Sequence, residues 1–164
     1  MTTQSVPFII SRTFGAPLAQ VWRAWTEGER LQKWFGPKGC TLLESTMDLR
    51  VGGVYHYGMQ MGGDRYWGRW VFREIVPRTR MVFVVSFADE KGAIARNPWN
   101  QVWPLEILST VTFEDRGGST QVTVRWEPIN ATPEEVRAFA DGHDSMRGGW
   151  GGTLDRLVEY LPTA

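Results

Sequence analysis

The sequence predicts an α+β fold: a seven-stranded antiparallel sheet, two short helices after the first strand, and one long C-terminal helix. Three observations lead there. Between Thr41 and Pro128, apolar residues alternate or cluster in runs of about eight to eleven, separated by turns containing Gly or Pro. None of these runs is joined by the roughly 10- to 15-residue helical crossover that a parallel sheet requires, so the strands pair antiparallel and can curl around whatever packs on them. From Thr132 onward the spacing changes, and apolar residues recur every three or four positions. At 164 residues the chain has the usual size of one domain, so residues 1–164 are expected to form a single unit.

Each element has its own signal. Phe8 to Phe14 reads as a strand with Phe8, Ile10, Arg12 and Phe14 on one face, ending at Gly15-Ala16-Pro17. Pro17 suits a first helical turn, and Leu18, Val21, Trp22 and Trp25 then form one apolar stripe. Thr26 is placed to cap a second short helix running through Gly28 to Trp34, which Gly36-Pro37 must end.

The six strands of the meander are legible from their turns. Gly52-Gly53 separates Leu42 to Leu49 from Val54 to Met61, and Gly62-Gly63-Asp64 leads into Tyr66 to Ile75. Pro77-Arg78 leads into Met81 to Phe87, and Gly117-Gly118 joins Leu105 to Phe113 with Gln121 to Trp126. Asp89 to Pro104 is the one long connection. A tether without structure rarely carries two Trp, so Trp99 and Trp103 indicate either a flap with one or both rings turned inward or a loop packed on the outside.

The last helix starts at Pro133 behind a Thr132 cap, with Glu134 and Glu135 complementing the helix dipole. Val136, Phe139, Ala140, His143, Met146, Trp150, Leu154, Leu157, Val158 and Leu161 keep one face apolar for roughly seven turns. Gly148, Gly149, Gly151 and Gly152 oppose this pattern at about 1 kcal/mol each relative to Ala. Either the helix bends or breaks around Trp150, or a backbone or a bound molecule comes close there.

Composition excludes several classes of function. Lys+Arg and Asp+Glu both number 18, so no global field draws polyanions and nucleic acid is not an expected partner. The polar start from Met1 to Pro7 lacks the features of a signal peptide, and no run reaches the roughly 18 apolar residues of a membrane helix, so a cytoplasmic protein without membrane insertion is expected. Cys40 has no partner for a disulfide, and with His56 and His143 alone no zinc spacing arises. Neither a structural metal nor a cofactor is expected.

Four motifs carry a resemblance that spans about Phe8 to Leu161. They are Ala16-Pro17-Leu18-Ala19-Gln20-Val21-Trp22-Arg23-Ala24-Trp25-Thr26, Leu31-Gln32-Lys33-Trp34-Phe35-Gly36-Pro37, Asp48-Leu49-Arg50-Val51-Gly52-Gly53, and Gly149-Trp150 with Leu154-Asp155-Arg156-Leu157. In this order they resemble the activator of Hsp90 ATPase homologue 1-like branch of the START-like, or Bet v 1-like, superfamily. The resemblance implies the helix-grip fold, in which the curved sheet wraps the C-terminal helix. It also implies a range of functions: superfamily members bind lipids, sterols, polyketides or plant hormones, some are cyclases or hydrolases, and the family name points to a chaperone partner.

Nine Trp and 13% aromatic residues fit either a core of large fillers or the wall of a ligand cavity. Strand parity and family position select Trp34, Phe35, Tyr57, Met59, Trp70, Phe72, Phe83, Phe87, Trp103, Met146 and Trp150 as cavity residues, and His143 in the apolar stripe reads either as a satisfied core or rim histidine or as a polar group orienting a ligand. His56 alternates away from Tyr55, Tyr57, Met59 and Met61, so it faces solvent if those residues face inward. Asp48 and Arg50 read as a hairpin-fixing pair, Cys40 as an idle or buried thiol, and no phosphate, dinucleotide or acyl-transfer motif occurs. No catalytic residue is assigned.

The expected function is binding of an apolar small molecule in a cavity above roughly 300 Å³ between sheet and C-terminal helix. A chaperone-interaction module and a cyclase- or hydrolase-like enzyme using a pocket His or Tyr are the alternatives. Monomer and homodimer both remain open.

Overall fold

A computed structural model describes residues 6–164. Its elements follow the anticipated order. Strand β1 (Phe8–Phe14) is followed by helices α1 (Leu18–Thr26) and α2 (Gly28–Trp34), then by β2 (Cys40–Met47), β3 (Val54–Met61), β4 (Asp64–Val76) and β5 (Arg80–Ala88). A two-residue strand β6 (Ile94–Ala95), β7 (Glu106–Asp115) and β8 (Thr120–Ile129) complete the sheet, and α3 (Pro133–Asp141) and α4 (His143–Tyr160) close the chain. The sheet is antiparallel and open, in the order β1-β8-β7-β5-β4-β3-β2, with β6 adding to the end of β5 at Phe87 and Ala88. This eighth strand was not anticipated, because two residues are too short for alternation to register.

The inner face of the sheet is largely apolar, with Ser109 and Thr120 as buried polar exceptions. Tyr55, Tyr57 and Met59 of β3, Trp70 and Phe72 of β4, Met81 and Phe83 of β5, and Val122 and Val124 of β8 are buried there. They join Val21, Trp25, Leu31, Trp34, Trp150, Leu154 and Leu157 in one continuous core. Side chains alternate across a strand, so the same register turns His56 to the outer face. There it stacks on Trp67 with ring centroids 4.9 Å apart, and its Nε2 lies 2.9 Å from the Asp89 carbonyl oxygen.

Two local expectations are corrected. Thr26 ends α1 instead of capping α2: its hydroxyl donates back to the Trp22 carbonyl at 2.8 Å, and Glu27 starts α2 without a side-chain cap. The C-terminal helix is two helices, and the break falls at Gly142, not around Trp150. At Gly142 the Trp103 ring of the flap occupies the space a side chain would need, 3.0 Å from where a Cβ would stand. Helix α4 then runs unbroken through Gly148, Gly149, Gly151 and Gly152. Of these, Gly152 faces a close backbone, with Lys38 N 3.3 Å from a Cβ position, whereas the other three meet open space.

The cap at Thr132 forms as expected. Glu135 N donates to Thr132 Oγ1 at 3.1 Å, and Thr132 N donates to Glu135 Oε1 at 2.9 Å. Near the other end of α4, Arg156 Nη1 approaches the carbonyls of Phe35, Gly36, Pro37 and Cys40 at 3.0 to 3.5 Å, tying the helix to the turn after α2. Gly36 sits in that turn at φ +110°, which favours glycine. Asp155 beside it pairs with Arg12 of β1 and with Lys38 at 3.4 Å. The Asp48–Arg50 pair closes the β2–β3 turn at 2.7 Å on the surface.

Candidate functional site

Between the inner face of the sheet and helices α3 and α4 lies a cavity of about 720 Å³. Its floor is the sheet. Tyr57 and Met59 come from β3, Tyr66 and Trp70 from β4, Val85 and Phe87 from β5, Ile107 from β7 and Trp126 from β8. Its roof is α4, through Met146, Gly149, Trp150 and Thr153, and one end is walled by Phe35, Gly36 and Pro37 after α2. The flap supplies Asn97, Asn100, Val102, Trp103 and Pro104 at the opposite end. Exposed Val102, Asp141 and Ser145 mark where the space meets solvent.

The rings that form the walls hold one another in place. Trp150 lies edge-on to Trp126 at 5.6 Å and parallel to buried Trp25 at 6.1 Å. Phe35 meets Tyr57 and Trp70 edge-on at 5.3 and 5.1 Å, arrangements the aromatic quadrupole favours. Trp103 packs against Phe139 at 5.7 Å, so the flap is docked on α3. Arg96 donates to the Glu135 carboxylate at 2.6 Å and strengthens that docking. Trp99, by contrast, remains half exposed at the flap's outer edge, against Tyr66 and Phe87. The long connection is therefore an ordered flap with one of its two Trp turned inward.

Of the twelve residues selected from sequence, Phe35, Tyr57, Met59, Trp70, Phe87, Trp103, Met146 and Trp150 line the cavity. Trp34, Phe72, Phe83 and His143 do not. Trp34 is packed behind Trp25 and donates its indole N–H to the Ala24 carbonyl at 3.0 Å, deep in the core. Phe72 and Phe83 belong to the packed half of the sheet, where Phe83 stacks beneath Trp70 at 4.1 Å. His143 stands between Phe8 and Phe139, at 5.8 and 5.3 Å, because the break at Gly142 turns the start of α4 toward β1.

Several lining residues escaped the sequence reading. Tyr66 shares parity with Trp70, and Val85 with Phe87, so alternation alone would have added both. Asn97 and Asn100 carry no periodic signal, since they lie in an irregular loop.

The cavity's own chemistry is sparse. Burial pushes the Tyr57 and Tyr66 phenols well above their ordinary range, which keeps both neutral. Tyr66 donates to Met59 Sδ at 3.1 Å and lies 3.9 Å from Cys40 Sγ. Trp126 donates its indole N–H to Ser109 Oγ at 3.0 Å, and Thr153 returns its hydroxyl to the Gly149 carbonyl at 2.9 Å. Among the described residues, no cluster of three or more His, Cys, Asp or Glu is placed to hold a metal ion, and no helix is long and apolar enough to cross a membrane.

Known structures share this architecture. A protein from Nitrosomonas europaea matches at TM-score 0.77 and 23% identity, covering 99% of this chain and 97% of its own. One from Mycobacterium smegmatis matches at TM-score 0.76 and 25% identity over 96% and 91%, and one from Arthrobacter aurescens at 0.77 and 25% over 98% and 88%. No curated protein matches the sequence significantly. The model of the family described as "Activator of Hsp90 ATPase homolog 1-like protein" matches residues 15–162, from the end of β1 to the last residues of the chain. With the helix-grip fold and the four sequence motifs in agreement, this chain belongs to that family.

Proposed function

We propose that the protein binds a small apolar molecule in the cavity between the sheet and α4. The observation that carries this reading is unfilled volume, about 720 Å³, walled largely by aromatic and aliphatic side chains in a protein whose interior is otherwise continuously packed. An interior built only for stability would fill such a space, because each unfilled part of it forfeits dispersion contacts. The ordered flap, docked on α3 by Arg96–Glu135 and Trp103–Phe139, gives the ligand a means of entry that leaves the sheet intact. The residues proposed to touch the ligand are Phe35, Tyr57, Met59, Trp70, Phe87, Trp103, Met146 and Trp150.

The test is native mass spectrometry of gently purified protein, followed by organic extraction. A retained small molecule, lost on extraction and readmitted on incubation, is the expected result. Failure of the purified protein to take up any apolar probe would sink the proposal.

The family match favours a second reading, association with an Hsp90-type chaperone. It requires a complex recoverable with the chaperone in at least one nucleotide state. Absence of a complex with and without ATP removes it.

A further inference from the structure

The flap end of the cavity differs from the rest of its lining. Asn97 and Asn100 both line it, and both commit the side-chain carbonyl to the flap's own backbone. Asn97 Oδ1 accepts from the N–H groups of Trp99 at 2.8 Å and Asn100 at 3.2 Å. Asn100 Oδ1 accepts from Val102 N at 3.1 Å. These contacts decide which way round each amide sits, because only the oxygen can accept from a backbone N–H. What remains of each side chain is the NH2 group, and neither donates to any partner among the described residues. Two half-buried donors are thus left at one end of a space walled mainly by aromatic and aliphatic side chains.

Charge at the same rim narrows what they can receive. Asp141 also lines the cavity and forms no ion pair among the described residues. Of the flap's cations, Lys91 does not line the cavity, and Arg96 is already balanced by Glu135 at 2.6 Å. An anionic ligand group would therefore meet full charge repulsion from an uncompensated carboxylate, whereas a neutral acceptor would meet only its weaker effect on a dipole and could still take the two amide donors.

Resting on the ligand-binding reading above, we infer that the cavity takes an apolar molecule bearing one uncharged carbonyl-type acceptor, as in a ketone, ester or amide, at the end held by Asn97 and Asn100. The corresponding carboxylate is discriminated against.

The test uses the full chain and displacement of a neutral solvatochromic dye by three probes of equal carbon number: an alkane, a methyl ketone and a fatty-acid anion. The variants are Asn97→Asp and Asn100→Asp. Each keeps an oxygen for the backbone N–H groups, so the turn survives, but replaces the donor with a second acceptor. Ketone affinity is expected to fall about tenfold in either variant while alkane affinity stays within about twofold. In the wild type the anion should bind more weakly than the ketone. An equal fall for alkane and ketone would assign the effect to the flap's shape and overturn the inference, as would an unchanged ketone affinity or an anion that binds as well as the ketone. If not even the alkane displaces the dye from the wild type, the ligand-binding reading itself fails, a result distinct from all the others.

Discussion

The Tyr57 ring lies over Gly68, its cross-strand partner, so closely that a Cβ on residue 68 would overlap the phenol. The neighbouring pair repeats the arrangement on the other face, where Trp67 covers Gly58 with ring atoms about 3 Å from a Cβ position. Each glycine thus admits an aromatic ring that a larger residue would lift away. Gly68→Ala is expected to push Tyr57 into the cavity. Thermal unfolding should show destabilisation of about 1–3 kcal/mol from overpacking, and apolar dye uptake should fall. Wild-type stability and uptake in this variant would contradict the placement of Tyr57.

The glycines of α4 allow stability and binding to be separated. Gly148 and Gly151 meet open space and lie in a helix interior, so Ala at either is expected to add up to about 1 kcal/mol of stability in urea titrations without altering uptake. Gly149 also meets open space, but that space is the cavity. Gly149→Leu is expected to preserve or raise stability while lowering dye capacity, an opposition that a purely structural cavity would not show.

Arg156 is the α4 side chain that meets the backbone carbonyls of the turn after α2, beside the Asp155–Lys38 pair. Replacing it with Ala leaves the carbonyls of Phe35, Gly36, Pro37 and Cys40 without their charged donor. A loss of about 1.5–3 kcal/mol is expected from chemical denaturation. Lys, with a point charge and no planar fork, should restore only part of it.

The docking of the flap should weaken in acid. The Thr132 backbone N–H and then Arg96 hold the Glu135 carboxyl below its ordinary value of 4.5, against the opposing effect of burial. A carboxyl with a lowered folded-state pKa contributes stability that is fully present above its ordinary value and is lost as pH falls through the folded value. Asp155 has the same sign, with Arg12 the chief cause and Lys38 the lesser. Melting temperature should therefore decline below about pH 4.5 in the wild type. Glu135→Gln should be less stable than the wild type at neutral pH, with the gap closing in acid. A gap of constant size across that range would show that Glu135's charge is not what ties the flap down.

Much of this molecule could be read before any coordinates. Alternation in Tyr55-His56-Tyr57 put the two rings on one face and the histidine on the other, and Gly52-Gly53 and Gly117-Gly118 located hairpins, because these signals depend on neighbours in the chain. The same locality explains the Thr132 cap, which involves residues three apart. The break at Gly142 was illegible for the opposite reason. It depends on Trp103, which arrives from a loop far away in sequence, and the glycines around Trp150 drew attention to the wrong place.

Sequence alone determined the class of fold, the family, the order of the main elements and which residues of a strand share a face, since periodicity and turn chemistry are written in adjacent residues. Only the tertiary structure decided which inward rings fill the core and which face empty space. Trp34 and Phe35 are neighbours, yet one is sealed behind Trp25 and the other borders the cavity. That difference arises where sheet, flap and helix fail to meet, and the gap is a property of the distance between elements that no single element records.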